Sequence, residues 1–340
     1  MLRRRRVELV GLALIALLGA SCGSDGPDGS ERKSLTVYSG REEELVADLF
    51  EQFEADTGID LDIRYGDSAE LAATLLEEGE SSPADVFLAQ DAGSLGAVAQ
   101  EGLFGEAPQE ILDRVDARFV SPDGFWVGTS GRARVAAYST ETLDDEDLPD
   151  SILDFTDPRW KGRIGFPPTN SSFQAFVAAM IVTEGDDATR SFLEGLVDNK
   201  PELYEDNSST VRAIAAGEIE VGFVNHYYIY EVTAEDGDIP VANHFFTGGD
   251  PGALVNAAGV GVLGGSEKQD EALDLVDYLT GDKGQTYFAE ETFEYPVVSG
   301  HTPSEDLVPL EDIESPDVDL TDLSGTLEPA LRLLAEVGLL

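Results

Sequence analysis

Two adjacent tyrosines, Tyr227 and Tyr228, stand within the stretch Val221–Val232, VGFVNHYYIYEV. Phenol titrates near pH ~10 in water, and a trivalent cation bound to its oxygen displaces the proton. An adjacent pair therefore offers two hard oxygen ligands. The pair also suits a core, where a buried tyrosine packs its ring and gives its hydroxyl one partner. Its position sharpens the first reading. Glu220–Val224 alternates as a short strand, Asn225 is a good helix N-cap, and ligands of open α/β sheets bind where strands hand over to helices.

Other polar clusters fall at similar places. Thr169-Asn170-Ser171-Ser172 precedes a helix expected near Phe173, and Asp206-Asn207-Ser208-Ser209 precedes one near Thr210. Helix starts bearing small hydroxyl and amide side chains suit an anion, although ordinary capping uses the same residues. Arg132 and Arg134 are one residue apart in the extended stretch Phe125–Ser139, which places them on one side. The rest of the inventory excludes several chemistries. Three scattered histidines give no zinc spacing, no phosphate-binding loop with its lysine occurs, and no Gly-x-Ser-x-Gly elbow is present. Gly248–Gly252 reads as a turn. With 68 acidic residues any acid pair can be drawn, so none is informative. The pattern points to binding rather than to an enzyme.

The elements that must position these residues are α/β. Leu35–Tyr38, Leu61–Tyr65 and Ala84–Leu88 read as strands. Between them, Leu45, Val46, Leu49, Phe50 and Phe53, and then Leu71, Ala72, Leu75 and Leu76, line two helix faces. Strand–helix–strand–helix–strand predicts a parallel sheet covered on both faces. A second set follows, with helices expected at Phe173–Val182, Ala188–Leu196, Thr210–Ala216 and Asp270–Leu279, and extended chain over His244–Leu263. Two sets joined by two extended stretches suit a two-lobed clamp with ligand in the cleft.

Composition agrees with a globular binding protein, with 42% hydrophobic and 26% charged residues. The net charge of −47 repels nucleic acid and attracts cations, and it also suits a salty habitat. The N-terminus is distinct. Arg3–Arg6 and the apolar run Leu9–Ala20, too short to span a bilayer, precede Leu18-Gly19-Ala20-Ser21-Cys22. That segment resembles a bacterial lipobox, with Gly19 where an aliphatic residue is usual. Cys22, the single cysteine, is the expected lipidation site, which implies a membrane-anchored, extracytoplasmic protein without internal disulfides. Residues 1–21 then form a signal peptide and 22–33 a disordered tether.

With these residues assembled, LTVYSGR at Leu35–Arg41, PADVFLAQ at Pro83–Gln90, WKGRIGF at Trp160–Phe166, Asn207–Ala216, VNHYYIY at Val224–Tyr230 and DPGALV at Asp250–Val255 resemble the periplasmic ferric-ion-binding proteins of ABC importers. The resemblance implies a type II periplasmic-binding-protein fold. One lobe would hold residues 34–133 and 257–300 and the other 134–256 and 301–340, hinged near Arg132–Tyr138 and His244–Gly259. It implies Tyr227 and Tyr228 as phenolate ligands of Fe(III). Asn207 and Asn225, with Asn170 and Ser172, fall where relatives hold a synergistic anion, phosphate or carbonate. The expected partner is an ABC permease, and the protein itself a monomer. Two positions depart from the pattern. Glu42 stands where relatives have a histidine ligand, and Gln90 where many have glutamate. Glu42 suits either a hard oxygen ligand or a solvated helix-start acid, and Gln90 is a weak, neutral donor. The departures leave a second reading, a binding protein of the same fold for an organic phosphate or other anion without iron.

Overall fold

The computed structural model describes residues 33–304 and 307–340. The expected signal peptide, the expected lipidation site Cys22 and nearly all of the expected tether lie outside the described residues. The first strands and helices fall where periodicity placed them. They are β1 (Ser34–Ser39), α1 (Glu43–Thr57), β2 (Asp60–Tyr65), α2 (Ser68–Glu78) and β3 (Val86–Ala89); α3 (Ala92–Gln100), which the sequence reading did not mark, follows. Helix α1 buries the predicted Leu45, Val46, Leu49, Phe50 and Phe53, and ends on Gly58 in the left-handed region, φ 72°. Strand β1 pairs in parallel with both β2 and β3.

A short helix α4 (Gln109–Leu112) precedes the long strand β4 (Val127–Ser139). Then come β5 (Ile164–Phe166), α5 (Ser171–Glu184), α6 (Asp186–Asp198), β6 (Glu202–Leu203), α7 (Asn207–Ala215), β7 (Val221–Asn225) and α8 (Tyr228–Asp236). The chain continues through β8 (Val241–His244), β9 (Val255–Val262), α9 (Gln269–Thr280), α10 (Asp282–Glu290) and α11 (Leu323–Glu336). Among the described residues the strands run in the order β2-β1-β3-β9-β4-β7-β5-β6, with β8 paired to β4 beside that path.

Strand β4 belongs to both sets. Its first part, Val127 to Ala133, pairs antiparallel with β9, and from Arg134 to Tyr138 it pairs with β7. The change of partner falls between the two arginines. Helix α11, in the segment expected with the second lobe, packs against both α3 and α5, burying Leu323, Ala330 and Leu334.

Three local expectations are corrected. Helix α7 begins at Asn207 rather than Thr210, because Asp206 is the cap and accepts from the Ser209 amide at 2.6 Å. Helix α5 likewise begins at Ser171, two residues before Phe173, with Asn170 as cap. The extended stretch His244–Leu263 is interrupted, since Gly248 and Gly249 adopt φ of 70° and 75° and Pro251 opens a single turn.

Two glycines let helices approach the sheet. A Cβ on Gly40 would lie 2.1 Å from the Ser68 hydroxyl, so only glycine lets the end of β1 meet the start of α2. A Cβ on Gly222 would lie 2.7 Å from Thr210 Cγ2 and 2.9 Å from Ile214 Cδ1, which presses α7 closely onto β7.

Candidate metal site

Tyr227 and Tyr228 are both wholly buried, their rings 4.3 Å apart with planes at 31°. Asn225, expected as the helix N-cap, instead ends β7. The chain turns through His226 and Tyr227, and Tyr228 is the first residue of α8. The turn sets the two phenols together. Tyr228 donates to Glu42 Oε1 at 3.3 Å, whereas the Tyr227 hydroxyl has no hydrogen-bond partner among the described residues. Burial raises the titration of Tyr227 against the pull of Arg41 and Arg132, and holds Tyr228 well above 10 with Glu42 adding to the effect. Without a cation both are neutral phenols.

Glu42 is placed at the start of α1 but makes no cap hydrogen bond there; its carboxylate meets Tyr228. Burial raises its carboxyl above the usual range despite Arg41. Gln90, just after β3, presents a buried side-chain amide whose Nε2 has no partner among the described residues, while its backbone carbonyl accepts from Arg132. A cleft of about 600 Å³ is lined by Arg41, Glu42, Gln90, Asn170, Asp206 and Glu231 among others. Tyr227 and Tyr228 are not among its lining residues.

The anion candidates converge in part. Asn207 Nδ2 reaches Ser172 Oγ at 3.5 Å, and Asn225 lies opposite Arg134 in the β4–β7 ladder. Asn207 Oδ1 and Asn225 Nδ2 are buried without partners among the described residues. Asn170 is committed as a cap, accepting from the Ser172 amide at 3.0 Å and the Ser172 hydroxyl at 2.6 Å.

The amides and hydroxyls are joined by a cation that sequence reasoning did not place among them. Arg134 donates to Ser172 Oγ at 3.3 Å and to the Phe223 carbonyl at 2.8 Å, and lies over the rings of Phe173 and Phe176. Burial pulls its titration down to about 9. Arg41 is different. It forms a bidentate buried pair with Glu294 at 2.8 and 2.7 Å, and Ser130 and Thr292 hold the same carboxylate. The Arg132–Arg134 spacing was the available signal for the first arginine; nothing in sequence singled out Glu294.

His226 is not a metal donor. Its Nδ1 accepts from the Ala133 amide at 3.1 Å, which places the proton on Nε2, 2.9 Å from the Phe293 carbonyl. Burial pushes its titration down to about 4. Among the described residues no three His, Cys, Asp or Glu side chains gather as a metal cluster. The arrangement can therefore do one thing well: take a hard cation onto two phenol oxygens beside Glu42, with guanidinium and amide donors free to hold an oxyanion.

The comparisons agree with this chemistry. A protein of Serratia marcescens named Fe(3+)-binding periplasmic protein is 33% identical, over 98% of this chain and 100% of its own. The major ferric iron-binding protein of Neisseria meningitidis serogroup B is 33% identical, over 90% and 93%. Iron-bound HitA from Pseudomonas aeruginosa superposes with a TM-score of 0.86 at 33% identity, covering 90% of this chain and 99% of its own. A Trichodesmium protein in complex with iron and citrate superposes at 0.75 with 27% identity, over 90% and 100%. The family description that matches residues 81–315 completes the comparison, and the chain belongs to the bacterial extracellular solute-binding proteins.

Proposed function

We propose that this protein captures ferric iron outside the cytoplasm, together with a synergistic oxyanion, and delivers it to the permease of an ABC importer. Tyr227 and Tyr228 bind as phenolates, Glu42 adds a carboxylate, and Gln90 contributes at most a neutral amide. The oxyanion, phosphate or carbonate in the first instance, sits among Ser172, Asn207 and Asn225 with Asn170 fixing Ser172, and Arg134 supplies the positive charge. The two lobes, divided near residues 133 and 257, close on the metal, and a lipid on Cys22 holds the protein at the membrane. The observation that carries the reading is the tyrosine pair, buried among guanidiniums with one hydroxyl unpartnered. A buried hydroxyl in that state costs about 1–3 kcal/mol unless something completes it.

The test is metal analysis and a visible spectrum of protein purified without added iron, repeated on Tyr227→Phe and Tyr228→Phe. Coloured, iron-containing parent protein and colourless variants are expected. Tyr227→Phe should keep or raise the stability of the metal-free protein, because the hydroxyl it removes has no partner. Variants that bind iron as the parent does would reduce the pair to core packing.

A further inference from the structure

Resting on the ferric reading, we propose that Glu231 is a further ligand of the metal, so that the chain itself supplies two phenolates and two carboxylates. Glu231 lies three residues beyond Tyr228 on α8, a spacing that puts both on one helix face. It lines the same cleft as Glu42, whose charge acts on it, and both carboxylates act on the phenol of Tyr228.

One of its oxygens is fixed and the other is waiting. Oε1 accepts from the Ser208 hydroxyl, in the first turn of α7, at 2.7 Å. Oε2 is buried with no partner among the described residues. The protein's own cations do not fill the gap. Of the two guanidiniums lining the cleft, Arg41 is taken by Glu294, and Arg212 by Glu235 and by Asp236 at 2.7 Å. A carboxylate oxygen withdrawn from water and unpaired is costly unless a cation joins it. The unpartnered Tyr227 hydroxyl, wholly buried on the preceding turn, is an independent sign that something binds here.

The donor count then closes. Two phenolate and two carboxylate oxygens leave two positions of an octahedral ferric ion, which one bidentate oxyanion fills. Gln90, after β3, adds no charge, so the second carboxylate comes from α8 instead.

The experiment is a ferric titration in competition with citrate, with visible spectra, on the parent, Glu231→Gln, Glu231→Asp and, as a control, Glu101→Gln, an exposed acid. Glutamine keeps the shape and the Ser208 contact but removes the charge; aspartate keeps the charge but withdraws the oxygen. Both Glu231 variants should stay coloured, since the phenolates remain. Each should lose at least about 100-fold in iron affinity and show a displaced absorption maximum. Glu101→Gln, outside the cleft, should match the parent. A Glu231→Gln protein with parental affinity and spectrum would overturn the assignment. So would a Glu231→Asp protein with parental behaviour, because charge alone would then suffice. A parent that takes up no iron would overturn the ferric reading itself, a result distinguishable from either.

Discussion

Arg134 is a guanidinium taken out of water with no ion-pair partner among the described residues. A buried charge in that state is destabilising until a negative charge arrives. Two phenolates formed on metal binding are offset by the three charges of the cation that forms them, so an oxyanion beside Ser172 has to supply the negative charge. Iron loading should therefore respond to the anion through this side chain. In buffer stripped of phosphate, carbonate and citrate, the parent should bind ferric iron weakly, and phosphate should restore the affinity and the colour. Arg134→Gln should lose most of that response, with affinity in phosphate lower by about 10- to 100-fold. Equal phosphate responses in parent and variant would remove Arg134 from the anion site, and full affinity of the parent in stripped buffer would make the anion dispensable.

At the scale of elements, the imidazole of His226 ties β4 to the segment after α10, through Ala133 on one side and Phe293 on the other. It does so neutral, with its titration at about 4 against 6.5 for an unperturbed histidine. The unfolded chain takes up a proton as pH falls through 6.5 while the folded chain does not, so stability drops from 6.5 down to 4. The loss amounts to about 3 kcal/mol. Glu231, raised to about 7 by burial, works in the opposite direction over part of that window. The informative quantity is thus the difference between parent and His226→Gln in urea unfolding from pH 7 to 4, where the variant should be less stable at pH 7 but lose less on acidification. Parallel pH profiles would exclude the clamp. How much of this was legible beforehand follows range along the chain. The tyrosine pair, the helix faces and the Arg132–Arg134 spacing are local patterns and could be read. The Asn225 cap was misread because the chain makes an extra turn through His226 and Tyr227 before the helix starts. The Arg41–Glu294 pair joins residues 253 positions apart, and no local pattern marks one acid among 68.

For the whole molecule, 68 acidic against 21 basic residues make self-repulsion a standing cost of the folded state. Raising salt from 0.1 to 1 M shortens the screening length from about 10 to about 3 Å. Exposed pairs such as Arg190–Glu336 and Arg332–Glu328 lose little by this, since such pairs contribute little to begin with. Relief of a few kcal/mol of repulsion should raise Tm by roughly 5 °C. A flat or falling Tm between those salt concentrations would mean that the acidic surface is already neutralised by its own geometry. The complete burial of Tyr227 and Tyr228 has a further consequence, this one in time rather than in energy. A chelator cannot touch oxygens that solvent does not reach, so the exchange of metal must wait for the elements around them to part. With α11 packed across α3 and α5, that parting also has to shift a helix. The rate of iron removal should accordingly climb with chelator concentration and then level off at the opening rate. A rate that stays proportional to chelator at every concentration would mean that the pair is accessible without any opening. In a stopped-flow trace the site would behave as a valve, its throughput set by that opening rather than by the strength of the bonds it guards.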